Sequence, residues 1–523
     1  MNNRFYKDKY DVVIIGAGIS GLASALSLTN KNLNILVLEQ HNLPGGVATS
    51  FVRGGVEFEA SLHEMMSIGS KENRLNVGEF FDLFGININW IRVPEAYRLV
   101  TDSIDVTIHA GENGNYEVPA KEIAEACGNL DGLYEKILDF FLMCKRIYDG
   151  INSTARRPIG LVRLISNYPD LIRTAGYSTY EVLKSFDLPD KTIDILSAYW
   201  MYVGNRTKDL PFTIYAFLVA DYFGYGSYIP KNTSHEMSLK MAMKCEELGV
   251  EIEYDKKVEK ILVKDNKIRG VRLSDGTIIN CDYVISGAYP NNVYTNMIEP
   301  KIEIKPEMIK YVNSKEIGCS CFSVILLLDK DYHELGIKDY ATFYAPNGMD
   351  IDKIWEEGKT LGPWNYITSV CVNVANPDAS PKGTCIYSMT YLPLPDAFKS
   401  IDVKDYEEIK RKNAMHFIEL ESKRLGVNLL DHILELEMET PISVAHYVGS
   451  WNGSIYGFRH QMDDHIVARL GMKAKEQYIS GLAFNGAHQT SGDGMAPVIN
   501  SGRAGANDIL MEMRARRSKN EDK

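Results

Sequence analysis

Residues 11–21 read Asp11-Val-Val-Ile-Ile-Gly16-Ala-Gly18-Ile-Ser-Gly21 and join a short β-branched run to three glycines. The apolar run predicts a buried parallel strand, and residues 22–29 predict a helix. Gly16 permits a tight turn, Gly18 lets backbone approach a pyrophosphate, and Gly21 lets the helix pack on the strand. The pattern predicts a βαβ unit that binds a dinucleotide at the start of the helix. The candidate cofactor-binding residues of this turn are Gly16, Ala17, Gly18, Ser20 and Gly21.

A carboxylate follows the next predicted strand. Residues 34–38 form a second apolar run, and Glu39 comes directly after it. An acid at this place accepts hydrogen bonds from ribose hydroxyls and repels the extra phosphate of NADP. Gly45 and Gly46 then offer a second close approach of backbone to the ligand. We therefore expect Glu39, Gly45 and Gly46 to bind an adenine dinucleotide. The alternative is a glycine-rich turn without a ligand.

Composition narrows the class of protein. A chain of 523 residues is too long for one compact core, so we expect two domains. Its net charge of -12 disfavours nucleic acid as a partner, because phosphate backbones attract basic surfaces. The 8 cysteines show no paired spacing typical of zinc sites or redox disulfides, so we expect no metal and a reducing, cytoplasmic setting.

Residues 12–28 carry no charge and resemble the apolar part of a signal peptide, but the glycine spacing favours the nucleotide-binding turn. No other stretch has the length of apolar residues that suggests a membrane span. Peripheral contact with a membrane remains open, because an amphipathic helix can lie on a bilayer without such a run.

Further motifs lie at both ends and in the middle of the chain. They are Val37-Leu-Glu-Gln-His41, Pro44-Gly-Gly46, Gly55-Val-Glu-Phe-Glu59, Gly226-Ser-Tyr-Ile-Pro230, Val258-Glu-Lys-Ile261, residues 376–383, residues 440–457, residues 481–487 and residues 491–497. Together they resemble the family of FAD enzymes that contains retinol saturases, carotenoid isomerases and bacterial phytoene desaturases. The resemblance covers nearly the whole chain.

The resemblance implies an α/β fold like that of flavin amine oxidases and phytoene desaturases. A Rossmann-type FAD-binding domain would be assembled from three pieces, residues 1–75, 226–298 and 472–515. An α+β substrate-binding domain would consist of residues 76–225 and 299–471, and residues 516–523 would be a charged tail that is solvated and frayed. The family's flavin contacts fall here on Val258, whose backbone would meet adenine, and on Gly486, Asp493, Gly494 and Met495.

The resemblance also implies a substrate class. The segment 199–223 is rich in aromatic side chains. Such side chains are common in protein cores whatever the function of the protein. In the family the corresponding region lines an apolar tunnel. We therefore expect an oxidoreductase that saturates, isomerises or desaturates carbon–carbon double bonds of a hydrophobic, carotenoid-, retinoid- or lipid-like molecule. The candidate proton donors are His63, which matches a histidine of the retinol saturase branch, followed by His488, Tyr97 and Tyr456.

Two alternatives remain at this level. One is a non-catalytic lipid-binding protein of the GDP-dissociation-inhibitor type, although the dinucleotide motif of such proteins is degraded and here it is intact. The other is an FAD amine oxidase, which shares the flavin domain. The sequence has no second strand-glycine-helix fingerprint for a nicotinamide cofactor, so an external electron donor remains open.

Overall fold

The computed structural model describes residues 6–156, 161–463, 478–489 and 492–521. The strands are β1 Tyr10–Ile15, β2 Ile35–Leu38, β3 Ser50–Arg53, β4 Val56–Glu59, β5 Trp90–Arg92, β6 Tyr97–Thr101, β7 Asp105–Ile108, β8 Tyr228–Pro230, β9 Glu251–Glu253, β10 Val258–Lys264, β11 Lys267–Leu273, β12 Ile278–Ser286, β13 Ile298–Glu299, β14 Phe322–Leu328, β15 Ala341–Ala345, β16 Ile367–Cys371, β17 Cys385–Tyr391, β18 Ile433–Glu439 and β19 Leu482–Phe484.

The α-helices of the same described ranges are α1 Ile19–Leu28, α2 Asn76–Leu83, α3 Glu117–Ala126, α4 Leu133–Arg156, α5 Leu161–Asn167, α6 Pro169–Thr174, α7 Thr179–Ser185, α8 Asp190–Ser197, α9 Phe212–Tyr225, α10 Thr233–Glu247, α11 Pro290–Asn292, α12 Pro306–Asn313, α13 Ile351–Glu357, α14 Val372–Ala375, α15 Val403–Leu425, α16 Pro441–Val448 and α17 Met495–Glu521. None of them combines the length and the apolar character that crossing a membrane requires.

The first large sheet contains the predicted βαβ unit. Its strand order is β13-β10-β11-β12-β1-β2-β9, and β19 pairs with β12. β1 is parallel to both β2 and β12, and all residues of β2 are buried, as expected for a parallel sheet covered on both faces. This sheet confirms the Rossmann-type α/β class. Its strands come from three separate stretches of the chain, while the exact limits of the three domain pieces stay a prediction.

A second sheet of seven strands forms the other large layer. Its order is β18-β14-β17-β16-β15-β6-β7, and most of its pairs are antiparallel. The apolar run of residues 322–328 forms β14, which is buried along its whole length. β16 ends at Cys371, where the chain turns into the short helix α14.

The carboxy-terminal helix corrects one expectation. We expected residues 516–523 to be a frayed tail, but α17 continues to Glu521. Arg516 forms an ion pair of 2.7 Å with Glu512 one turn earlier, and its guanidinium lies 4.5 Å from the ring centre of Tyr283 in β12. These contacts hold the end of the helix against the first sheet. Residues 472–477, 490–491 and 522–523, which belong to predicted pieces or motifs, lie outside the described residues.

Candidate functional site

A cavity of about 500 Å³ extends from the glycine turn after β1 to the face of the second sheet. Volumes of this size are typical of small-molecule and cofactor sites. The candidate residues that line it are Gly16, Gly18, Ser20, Glu39, Gly45, Gly46, His63, Val258, Tyr456, Gly486, His488, Gly494 and Met495. Thus the fold brings residues from the beginning, the middle and the last forty positions of the chain to one cavity.

The glycine turn is built for close approach. Gly16 has a φ of +98°, a conformation that favours glycine, and a Cβ there would meet nothing within 4 Å. A Cβ on Gly21 would lie 2.0 Å from the carbonyl oxygen of Gly16, so only glycine lets α1 pack against the turn. Gly18 caps α1, whose first amides lack intrahelical acceptors and can face an anion.

The second glycine pair lies against the first. The backbone N–H of Gly45 donates a hydrogen bond of 2.9 Å to the carbonyl of Ala17. A Cβ on Gly46 would lie 3.4 Å from the Cα of Gly18. The two glycine segments therefore form one backbone surface along the cavity wall.

Glu39 is buried at the end of β2 and faces the same cavity. Its Oε2 accepts a hydrogen bond of 2.7 Å from the N–H of Ala17, and its Oε1 accepts one of 2.9 Å from the N–H of His41. A carboxylate has about four lone-pair sites, so each oxygen keeps capacity for another donor such as a ribose hydroxyl.

Four candidate residues do not line the cavity. Ala17 and Gly21 shape the turn from behind, through the contacts above. Asp493 is buried and its Oδ1 lies 2.9 Å from Nε2 of His460, a partner that the sequence did not suggest. Any role of Asp493 toward a cofactor would therefore be shared with the His460 ring.

Tyr97 is a core residue, which corrects its selection as a proton donor. Its side chain is 0% exposed, and its hydroxyl donates a hydrogen bond of 2.6 Å to the carbonyl of Ile195. Its ring packs edge-on against Tyr199, Phe223 and Phe343. Tyr97 was selected because the sequence could not distinguish this packing role from a catalytic one.

The three remaining proton-donor candidates line the cavity, and they differ in pKa and in hydrogen bonding. Burial lowers the pKa of His63 to about 4 and that of His488 to about 3, so both imidazoles are neutral at pH 7. Nε2 of His488 is buried without a hydrogen-bond partner among the described residues. The Tyr456 hydroxyl donates to the carbonyl of Met201 at 2.6 Å, so its proton is already engaged.

Two carboxyl groups on the cavity wall, the buried Glu64 and the half-buried Glu439, were not among the residues selected from the sequence. Burial raises the pKa of Glu64 to about 8 and that of Glu439 to about 7. Neither was visible in the sequence as a motif, because the groups that surround each carboxyl come from distant parts of the chain. The adjacent His63-Glu64 pair was the one local signal.

The part of the cavity beside the second sheet is lined by aromatic and apolar side chains together with the hydroxyls of Ser323, Thr368 and Thr390. Of the aromatic segment 199–223, Tyr202 and Tyr222 reach the cavity, while the larger part packs in the core. The apolar residues that join them are Met201, Leu392 and Ile455. This composition suits a hydrophobic ligand whose orientation is set by few polar groups.

The residues present fit a flavin dinucleotide. The glycine surface and the start of α1 suit a pyrophosphate, and Glu39 suits a ribose. The unpartnered Nε2 of His488 and the glycine at 486, whose φ is +103°, lie on the cavity wall where a planar ring could approach backbone. Among the residues that the structure describes, no group of acidic, histidine and cysteine side chains could hold a metal ion.

Comparison with known proteins agrees with this geometry. Residues 14–82 match the model of the NAD(P)-binding Rossmann-like domain. Among similar proteins, the 4,4'-diapolycopene oxygenase of Methylomonas sp is 23% identical, with 97% of this chain and 99% of that protein covered. Prolycopene isomerase 1 of an Oncidium hybrid cultivar is also 23% identical, and the alignment covers 97% of this chain and 84% of that protein. These names confirm the resemblance stated above.

The all-trans-retinol 13,14-reductase of Rattus norvegicus is 25% identical over 67% of this chain and 58% of its own length. Among solved structures, cyclohexylamine oxidase from Brevibacterium oxydans has a TM-score of 0.59 at 13% identity, with 97% of this chain and 100% of that chain covered. The structural likeness shows the shared fold. Residues 208–510 match the model of the flavin containing amine oxidoreductases. The chain therefore belongs to the flavin-containing amine oxidoreductase family.

Proposed function

We propose that this protein is an FAD-dependent oxidoreductase that acts on carbon–carbon double bonds of a hydrophobic, unsaturated molecule of the carotenoid, retinoid or lipid type. Family membership makes it a flavin oxidoreductase. The names of its relatives refer to a diapolycopene, a prolycopene and a retinol, all of them polyenes. Saturation, isomerisation and desaturation all remain within this proposal.

The observation that carries the proposal is the continuity of one cavity. Its first half contains the glycine turns and Glu39, and its second half contains Tyr202, Tyr222 and the apolar side chains described above. A bound flavin would therefore share one space with a hydrophobic substrate. The intact nucleotide site in this cavity also disfavours a protein that only binds lipid, since such a protein does not need one.

The preference for FAD over FMN rests on the adenosine half of the site. Glu39 is placed to accept hydrogen bonds from a ribose, and Val258, at the start of β10, lines the same end of the cavity. FMN has neither an adenine nor a ribose, since its sugar part is an open ribityl chain, and it would leave these groups unused. We therefore propose that Glu39 and the backbone of Val258 hold the adenosine of FAD.

The electrostatics of the cavity favour a neutral substrate over an amine. An ammonium group would be bound by an ionised carboxylate, but burial raises the pKa of both Glu64 and Glu439 toward or above neutrality. A neutral polyene makes no such demand. The fold is therefore compatible with an amine oxidase, but the lack of a fully ionised carboxylate beside the substrate disfavours binding of an ammonium group.

When bound, the flavin supplies transfer of a hydride or of electrons to or from the substrate. The residues of the chain bind and orient the flavin and the substrate. We propose that the Tyr202 and Tyr222 rings and the side chains of Met201, Leu392 and Ile455 hold the apolar substrate and exclude water from it. Protons must then come from the few polar groups on the wall.

Location and partners belong to the same proposal. All 8 cysteines are free, which suits a reducing cytoplasm. A hydrophobic substrate resides in membranes, so peripheral membrane contact would give access to it. An external electron donor would be needed for net saturation.

The test is anaerobic incubation of the FAD-loaded protein with all-trans-retinol, lycopene or putrescine in detergent micelles, with the flavin either oxidised or reduced by dithionite. We expect a change in the absorption band of a polyene and no reaction of putrescine. Reduction of the oxidised flavin by putrescine with both polyenes unchanged would contradict the proposal. It would support an amine oxidase instead.

A further inference from the structure

Glu64 presents an uncommitted carboxyl oxygen at the cavity wall. Its side chain is 7% exposed, and Oε2 accepts a hydrogen bond of 2.5 Å from the Ser227 hydroxyl. In the part of the chain that the structure describes, Oε1 meets no donor in full hydrogen-bond geometry; the nearest candidate is the Tyr202 hydroxyl, which is also unpaired and acts to lower the pKa of the carboxyl. Buried polar atoms are usually paired, and an unpaired one in a cavity indicates a place for a ligand or for chemistry.

The backbone fixes this carboxyl in place. Glu64 lies in the loop after β4, and the next residue, Met65, exchanges two backbone hydrogen bonds of 2.9 and 3.0 Å with Tyr228. In this antiparallel bridge Ser227 lies diagonally across from Glu64, and its hydroxyl reaches the carboxyl. The position of Glu64 is therefore set by two segments far apart in sequence.

Among the described residues, no cationic side chain acts on the pKa of Glu64. The titratable side chains that interact with Glu64 are Glu95, Tyr199, Tyr202, Tyr222 and Tyr340, and His63 precedes it in the chain. Burial raises the pKa of Glu64, and the nearby Glu95 carboxylate adds to the rise, so that it reaches about 8. At neutral pH the carboxyl keeps its proton. Because Oε2 already accepts from Ser227, the proton is expected on the unpartnered Oε1.

We propose that Glu64 is the acid that delivers a proton to the substrate double bond, and that the enzyme therefore works as a saturase. This inference rests on the function proposed above and adds to it the direction of the reaction. It also moves the role of proton donor from the neighbouring His63, which the sequence favoured, to a residue that no motif indicated.

In this step a bound, reduced flavin would supply a hydride equivalent to one carbon of the double bond, and Glu64 would give its proton to the neighbouring carbon. The O–H bond of Glu64 would break as a C–H bond forms, and the carboxylate that remains would regain a proton from solvent. The two electrons would come from an external reductant, a reduced electron-transfer protein or, in the assay, dithionite, which returns the flavin to its reduced form.

The described residues are less suited to catalysing the reverse reaction, desaturation. Desaturation needs a base on the cavity wall, and burial lowers the pKa of His63 and His488 to about 4 and 3, which makes both poor bases. Glu439, the other carboxyl of the wall, has its pKa raised to about 7 and is the residue against which Glu64 must be compared.

The experiment uses the full chain loaded with FAD, reduced anaerobically with dithionite in D₂O and mixed with all-trans-retinol or with lycopene. We compare Glu64→Gln, Glu64→Asp and Glu439→Gln with the wild type. Gln keeps the size of the side chain and an acceptor for Ser227, but it has no acidic proton. General acid catalysis contributes roughly 10²–10⁴-fold, so Glu64→Gln should slow saturation by about that factor while FAD content is unchanged.

A second readout does not depend on turnover. The infrared spectrum of the wild type should contain the carbonyl band of a protonated carboxyl that fades as pH passes about 8, and Glu64→Gln should lack this band. The rate of the wild type should fall over the same pH range. Glu64→Asp should keep both the band and the pH dependence, at an intermediate rate.

The outcomes separate the two proposals. If the wild type changes neither retinol nor lycopene in this assay, both the proposed function and this inference fail. If the wild type converts either polyene and Glu64→Gln does so within about threefold of its rate, or Glu439→Gln alone abolishes the pH dependence, only the role of Glu64 is overturned. A product with more double bonds than its substrate would overturn the direction.

Discussion

The Oε2 atom of Glu39 accepts a hydrogen bond of 2.7 Å from the backbone N–H of Ala17, so the end of β2 is tied to the glycine turn after β1. The other oxygen of the carboxylate accepts from His41, which leads toward the second glycine pair. Glu39 therefore orders both backbone segments that would meet a dinucleotide. The same carboxylate retains lone pairs for the ribose hydroxyls.

Substitution of Glu39 should weaken FAD binding. Hydrogen bonds to a charged group contribute about 1.5–3 kcal/mol, so Glu39→Ala should raise the Kd of FAD by roughly 10- to 100-fold. Titration of the deflavinated protein with FAD, followed by flavin fluorescence, measures this. Glu259→Ala is the control, because Glu259 is exposed beside Val258 and should leave the Kd unchanged. Equal Kd values for Glu39→Ala and the wild type would show that the carboxylate does not contact the cofactor.

Gly21 should tolerate no side chain. Its Cβ would lie 2.0 Å from the Gly16 carbonyl oxygen, and such overpacking typically costs about 1–3 kcal/mol. Gly21→Ala should lower the Tm and reduce the bound FAD. Gly176→Ala is the matched control, since a Cβ there meets nothing within 4 Å. A thermal shift assay with and without FAD compares the two, and the same Tm for both variants would contradict the packing argument.

Acid should destabilise the protein through its buried histidines. The pKa of His488 falls from about 6.5 in the unfolded chain to about 3 in the folded one. The unfolded state therefore binds more protons below pH 6.5, and stability decreases as pH falls from about 6.5 toward 3. His488→Phe removes this proton and suits the aromatic neighbours Tyr289 and Phe458. Its Tm should depend less steeply on pH over this range than that of the wild type, and an unchanged slope would refute the assignment.

Tyr97 should matter for stability and not for the reaction. Loss of its hydrogen bond to Ile195 should cost about 1 kcal/mol in Tyr97→Phe, because a buried carbonyl loses a donor. The variant should show a lowered Tm and a rate of polyene conversion within about threefold of the wild type. A loss of rate with the Tm unchanged would restore Tyr97 as a candidate proton donor.

The parts of the fold that depend on neighbouring residues were predictable. The βαβ unit needs only residues 10–39, and its strands, helix and acid lie where the glycine spacing indicates. The hairpin at Asp275-Gly276 was predictable for the same reason, since Gly276 has a φ of +88° in the turn between β11 and β12. The extension of α17 was not, because it depends on the contact of Arg516 with Tyr283, far away in sequence.

The same distinction between local and long-range interactions applies to the residues of the candidate site. Residues in motifs, such as Gly16 and Glu39, were found from the sequence. The raised pKa of Glu64 could not be predicted, because the burial of this residue and its hydrogen bond with Ser227 are set by tertiary structure. The pairing of Asp493 with His460 and the burial of Tyr97 were hidden for the same reason.

The central claim, that one cavity holds FAD beside a hydrophobic substrate, is tested most directly by the visible absorption spectrum of the purified protein. The chromophore released on denaturation would be identified in the same experiment. We predict flavin bands at close to one equivalent and release of FAD. A colourless protein that fails to take up added FAD, or one that releases only FMN, would contradict the account.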